Sequence, residues 1–214
     1  KKEVQRLQNK FLNADELKSC LHQLKEINPR IGLAMEFIAL TGLRCGELLA
    51  LRVQDYYKDK SIINVNGTII KSARNGEDTQ RGTPKNSYSY RDVIINDRAK
   101  YILDSIILEN KKLASWNSKK YKDKGYIFTT STGNPFNIQY INTKLRKIKL
   151  ADKKISTHIF RHTHISILSE LGLPLKSIMQ RVGHNDPKTT LSIYTHVTNN
   201  MNNEMKNKLK ALSF

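Results

Sequence analysis

The chain has 214 residues, with 37 Lys+Arg against 19 Asp+Glu for a formal charge of +18, and is 38% hydrophobic and 26% charged. That apolar content supports a packed core and excludes a disordered tail, while the basic excess points to a polyanionic partner: nucleic acid, an anionic membrane surface or an acidic protein. The longest apolar run, residues 31–43, is interrupted by Gly32, Glu36 and Thr41 and falls short of the roughly 20 residues of a membrane span.

The two cysteines, Cys20 and Cys45, offer neither a disulfide framework nor a CxxC ligand spacing. Such usage fits a reducing, cytoplasmic compartment, and the short apolar runs fit a chain that does not cross a membrane. The chain opens at Lys1 without Met or a signal pattern, as expected of a piece cut from a longer protein. Its charge is concentrated in the middle, where residues 61–150 hold 17 basic and 7 acidic side chains, net +10.

In chain order, Asn13 and Glu16 form a capping-box pair that opens a helix through Leu17, Leu21 and Leu24. Asn28-Pro29 ends it and starts a second helix with Ile31, Met35 and Ile38 on one face. Thr41-Gly42-Leu43 is a break, after which a helical pattern resumes from Arg44 to Leu51. From Ile62 the period becomes two, predicting strands with Ile63, Val65 and Ile69 buried around an Asn66-Gly67 turn. Residues 71–82 read as a polar stretch, residues 83–95 as a strand pair or extended segment, and residues 111–124 as a basic loop or helix end. Helices are predicted over 138–150 and 157–171, from Pro174 to a stop at Gly183, and in a short element opened by Asp186-Pro187 that carries Tyr194. The fold expected is α+β: one mainly α-helical domain, residues 1–214, with a small antiparallel sheet near the middle.

Four segments hold reactive chemistry. Arg44 and Glu47 share one face of a helical turn at a spacing of three, and His158 and Arg161 repeat that spacing. His184 follows Gly183 at a helix end, with Tyr194 ten residues later, and Lys85 lies in the strand region within Thr83-Pro84-Lys85. Two arginines, two histidines, a lysine and a tyrosine suit a metal-free attack on a phosphodiester. Guanidinium forks grip non-bridging oxygens and neutralise charge in the transition state. A phenol of ordinary pKa near 10 needs cationic neighbours and a base to become a nucleophile.

This set, in this order, resembles the tyrosine recombinases, or phage-type integrases, over nearly the whole chain. The strongest matches are residues 41–51, His158-x-x-Arg161-His162, and Gly183-His184 through Tyr194-Thr195-His196. The resemblance implies that Tyr194 attacks a DNA phosphate, giving a 3′-phosphotyrosyl link and a free 5′-hydroxyl that later attacks the link in a partner duplex. It also implies that Arg44 and Arg161 clamp the phosphate, that His158 serves the phenol as base or hydrogen-bond partner, and that His184 binds a phosphate oxygen. Lys85 then protonates the leaving 5′-oxygen, and Glu47 orients the basic residues around it. The link conserves the phosphoryl bond energy, so no cofactor is implied, neither ATP nor a metal. The implied substrate is double-stranded DNA at attachment-type sites, with accessory DNA-bending or excision proteins as further partners. A tetrameric synapse is implied too, linked through the apolar C-terminal stripe Met201, Met205, Leu209; the competing expectation folds that stripe back onto its own domain. Family members carry core-binding and, often, arm-binding domains that residues 1–214 lack.

Each motif alone also has an ordinary structural account: a surface ion pair, a solvated helix face, a helix cap, a packing tyrosine. Their joint occurrence decides for chemistry. Arg91 stands evenly between a phosphate-backbone contact and an exposed strand residue. His158 and His162 have a metal-ligand spacing, but Arg161 lies between them and no third ligand is evident; His162 and His164 are expected to pack or hydrogen-bond. The alternatives are a type IB topoisomerase, a chromosome-dimer-resolving recombinase, a silent DNA-binding module built on the 174–183 helix, and a metal-dependent nuclease. The basic middle segment favours a mobile-element integrase.

Overall fold

The computed structural model describes residues 8–71, 79–83, 89–150, 153–183 and 187–210. Helix α1 (Ala14–Ile27) opens on the expected box: the Asn13 backbone N–H donates to Glu16 Oε2 at 2.8 Å, and Glu16 N–H donates to Asn13 Oδ1 at 2.9 Å. Asn28 ends α1 and caps helix α2 (Pro29–Thr41) through Ile31 N–H. The single buried face expected for α2 is too narrow. Ile31, Ala34, Met35, Phe37, Ile38 and Ala39 are all buried, because α1, helix α4 (Asp97–Trp116) and helix α6 (Thr157–Glu170) pack around it.

Gly42 ends α2 in the left-handed region, with φ 72°. A Cβ there would stand 2.6 Å from the His164 ring and 3.0 Å from Val182, so α2 can meet α6 and helix α7 (Leu175–Val182) at this point only without a side chain. Gly42→Ala is expected to destabilise the chain by about 2–4 kcal/mol, from left-handed strain plus overpacking, read as a fall in the urea midpoint. After this turn comes the short helix α3 (Cys45–Ala50).

The strands form two sheets. Strands β1 (Tyr56–Tyr57), β2 (Ile62–Val65) and β5 (Arg91–Ile94) make an antiparallel sheet in the order β1-β2-β5, while β3 (Thr68–Lys71) pairs, among the described residues, with β4 (Gln80–Gly82). Asn66-Gly67 is therefore a corner between sheets and not a hairpin turn. Asn66 Nδ2 donates to Asp55 Oδ1 and Asn64 Oδ1 at 2.7 and 2.9 Å, which ties the corner down. Ile63, Val65 and Ile69 are buried as expected, whereas residues 80–82, expected in a polar stretch, form β4.

The 20-residue α4 was not among the predicted helices. Asn96 caps it through Ala99 N–H, and it buries Ala99, Ile102, Leu103, Ile106 and Asn110 against α2. Helix α5 (Ile138–Leu145) precedes α6. The final helix, α8 (Pro187–Lys210), spans 24 residues, so the short element expected around Tyr194 and the C-terminal stripe are one continuous helix. The main core reaches from Leu12 to Phe160; a second, smaller cluster, Ile165, Ile178, Val182, Ile193 and Val197, joins α6, α7 and α8. Among the described residues, no helix is long and apolar enough to cross a membrane.

Candidate active site

The site is organised by the C-terminal end of α7. The last carbonyls of a helix lack intrahelical partners and carry the negative end of its dipole. Here each of three successive carbonyls receives one arginine: Arg181 O accepts from Arg91 Nε at 2.7 Å, Val182 O from Arg161 Nη2 at 2.6 Å, and Gly183 O from Arg44 Nη2 at 2.7 Å. These arginines come from β5, from the second turn of α6 and from the N-cap of α3. Arg161 Nη1 also donates to the Gly42 carbonyl, so the left-handed turn after α2 supplies a second anchor.

Glu47 lies among them, 4% exposed. Its Oε2 accepts from the Arg44 backbone N–H at 3.0 Å and from Arg91 Nη2 at 2.9 Å, and its Oε1 accepts from Arg44 Nη1 at 2.7 Å. Burial opposes ionisation of this carboxyl, yet the Arg91 and Arg44 charges and hydrogen bonds prevail and hold it below the usual carboxylate range. Arg44 and Glu47 therefore meet within a buried network and not as a surface pair.

Arg161 is 2% exposed. Burial, and next the Arg44 charge, lower its guanidinium to about 9, so it stays protonated at neutral pH. Three guanidiniums face one carboxylate and a helix end worth roughly half a negative charge, which leaves a net positive of about 1.5 in a largely enclosed space. A phosphodiester carries one negative charge and its pentacoordinate transition state two, so such a site favours the transition state over the ground state.

His158 stands one turn before Arg161 on α6. Burial of its ring, then Arg161 and Arg44, lower its pKa, which keeps the imidazole neutral and able to accept a proton at neutral pH. His162, its ring 6.4 Å away, is pushed down to about 4 by burial and donates from Nδ1 to the Lys10 carbonyl at 3.1 Å. His164 donates from Nδ1 to Ala39 O at 2.8 Å and accepts from Arg181 Nε at 2.9 Å, which fixes its tautomer; burial lowers it to about 3. His162 and His164 pack and hydrogen-bond, as expected. Cys45, beside Arg44, has a thiol pushed up to about 12 by burial, which rules it out as a nucleophile.

Tyr194 lies half-buried on α8 and packs on the small cluster that contains Val182, the residue whose carbonyl holds Arg161. Arg44, Glu47, His158 and Arg161 are therefore gathered at one point, with Tyr194 on the adjoining cluster. Lys85 and His184 lie outside the described residues.

Arg91 fits neither of its sequence-based readings. Its side chain is 8% exposed and turned inward. The register pairs Arg91 with Val65 and Val93 with Ile63, so Arg91, Val93 and Ile95 share the buried face while Ile94 is 68% exposed. That alternation was the available signal. Arg181, which no motif marks, ties α7 to His164 and, through Nη1, to Ile94 O at 3.0 Å.

A model of the phage integrase family matches residues 10–201. The integrase of Staphylococcus phage L54a is 45% identical over 184 residues, 85% of this chain and 52% of that protein. The ICEBs1 integrase of Bacillus subtilis (strain 168) is 32% identical over 182 residues, 81% of this chain and 46% of that protein. The fold is that of the Tn1549 transposon integrase, solved in complex with transposon right end DNA, with a TM-score of 0.70 at 21% identity over 94% of this chain and 66% of that one. The chain belongs to the phage integrase family. It spans about half the length of the curated relatives it matches.

Proposed function

We propose that residues 1–214 are the catalytic domain of a mobile-element integrase that cuts and rejoins double-stranded DNA at attachment-type sites through a 3′-phosphotyrosyl link. The observation that carries this reading is the convergence of Arg44 and Arg161 on adjacent carbonyls of α7, with a neutral His158 one turn away and Tyr194 on the same apolar cluster. Relatives named as integrases of a phage and of ICEBs1 support the mobile-element origin, and the Tn1549 integrase bound to transposon end DNA supports duplex DNA as partner.

In this mechanism the free N–H donors of Arg44 and Arg161 hold the non-bridging oxygens of the scissile phosphate. The Tyr194 phenol gives its proton to His158 and its oxygen bonds to phosphorus, while the bond from phosphorus to the 5′-oxygen breaks and that oxygen takes a proton from Lys85. His184 adds a hydrogen bond to a phosphate oxygen. Attack by the 5′-hydroxyl of a second duplex reverses these steps and releases Tyr194. The exposed stripe on the last turns of α8, with Met201 41%, Met205 54% and Leu209 57% exposed, supports self-association on DNA into a tetrameric synapse.

The test is a duplex of the element's attachment sequence, nicked near the scissile phosphate and incubated in chelator with the unmodified chain or the Tyr194→Phe variant. A detergent-stable protein–DNA adduct is expected with the unmodified chain and none with the variant. Absence of the adduct from the first, or its persistence in the second, overturns the proposal.

A further inference from the structure

We infer that Arg91 is a positioning residue for the phosphate grip: by holding Glu47, chiefly through Oε2, it keeps the Arg44 fork open toward the substrate. The inference rests on the reading of Arg44 and Arg161 as phosphate ligands. Arg91 itself has no reach to DNA. Its Nε is spent on Arg181 O at 2.7 Å, its Nη1 on Ser89 O at 3.0 Å and more weakly on Glu47 Oε1 at 3.4 Å, and its Nη2 on Glu47 Oε2 at 2.9 Å, and its side chain is 8% exposed.

Glu47 meets Arg44 through Oε1 and Nη1 at 2.7 Å, while Oε2 is shared between Arg91 Nη2 and the Arg44 backbone N–H. With Gly183 O on Nη2, two of the five N–H donors of Arg44 are spent inside the protein and three remain. Without Arg91, Oε2 is open to the Arg44 fork. An isolated carboxylate and guanidinium settle into a bidentate pair. That pair draws a further Arg44 donor away from a phosphate and rotates the plane of the fork. Arg91 thus turns a carboxylate that would sequester Arg44 into one that only aims it.

A purely electrostatic role and a positioning role give different outcomes. Lysine keeps the charge of Arg91 but cannot fan out to Arg181 O, Ser89 O and Glu47 together. If position matters, the charge-conserving variant fails. If the harm comes from a released Glu47, removing the Glu47 charge repairs it.

The experiment titrates orthovanadate at constant ionic strength into the unmodified chain and its variants, reading the concentration that gives half the maximal rise in melting temperature. Arg44→Gln sets the level without the grip. Arg91→Gln is expected to raise the half-saturating concentration about tenfold, and Arg91→Lys at least about fivefold, since loss of one charge-assisted hydrogen bond weakens binding on that scale. Glu47→Gln combined with Arg91→Gln is expected to return to within about threefold of Glu47→Gln alone. Vanadate affinity in Arg91→Lys equal to that of the unmodified chain overturns the inference, as does a double variant no better than Arg91→Gln. Arg91→Lys decides alone if Arg91→Gln does not fold. Vanadate bound normally by an unmodified chain that forms no DNA adduct counts against the proposed function and leaves the role of Arg91 standing.

Discussion

The Arg161→Lys variant is expected to form the phosphotyrosyl adduct at least about 100-fold more slowly than the unmodified chain at pH 8, and to regain part of that loss as the pH is lowered. Arg161 spends donors on the Gly42 and Val182 carbonyls and still has others for a phosphate. An ammonium has three donors on one atom and cannot bridge two carbonyls and a phosphate that lie in different directions. The same surroundings, which bring the guanidinium from 12.5 to about 9, also lower an ammonium, whose ordinary pKa is near 10.4 to begin with. A lysine is charged below its pKa, so the variant is expected to lose activity at a lower pH than the unmodified chain, in which Arg161 stays charged at neutral pH. Single-turnover adduct formation between about pH 6 and 9 reads this directly, and a flat profile in the variant would refute the account of Arg161 as a buried, desolvated cation.

The second large effect is on stability in acid. His162 and His164 titrate at about 4 and 3 in the folded chain because burial disfavours their cations. In the unfolded chain both titrate near 6.5. As the pH falls through about 6.5 the unfolded state takes up two protons that the native state refuses, so stability falls with pH at a limiting slope of about 2.7 kcal/mol per pH unit. Between roughly pH 6.5 and 5 the loss amounts to about 3 kcal/mol, a large part of the 5–15 kcal/mol typical of a domain. His158, lowered by its own burial and by Arg161, acts in the same direction. Glu36 and Glu47 extend the fall at lower pH. Burial opposes their ionisation, but Arg98 and Lys25 around the one, and Arg91 and Arg44 around the other, hold them below the ordinary range, so their share is lost only as they protonate. Urea midpoints at pH 7.5 and 5 test this, with His164→Gln expected to remove about half of the histidine-linked difference. An unchanged midpoint across that range would sink it.

Local grammar carried much of the fold. Asn13 with Glu16, Asn28-Pro29, Gly42 and Gly183 mark helix ends through caps that act within a few residues, and each stands where the sequence places it. What escaped was non-local. Asn66-Gly67 has the composition of a hairpin turn, yet β2 pairs with β1 and β5, because Val65 and Arg91 meet across 26 residues of chain. The amphipathic stretch of α4 was hidden beside the basic segment that follows it. At the site, the arginines, His158 and Tyr194 were legible as residue types at set spacings. Their common anchor was not, because the carbonyls of Arg181, Val182 and Gly183 are backbone atoms that no side-chain motif records.

That anchor couples the three arginines. Arg44 and Gly183 are 139 positions apart and Arg91 and Arg181 are 90 apart, but all three guanidiniums end on one turn of an eight-residue helix whose apolar support is the smaller of the two clusters. Fraying of that turn loosens three cations together, leaving Arg161 on the Gly42 carbonyl and Arg44 and Arg91 on Glu47. In the proposed mechanism, strand cutting and strand rejoining both draw on Arg44 and Arg161, two of the three residues held there. On that proposal, a chain that loses the turn is weakened in both halves of the reaction together, instead of retaining the power to break DNA without the power to seal it.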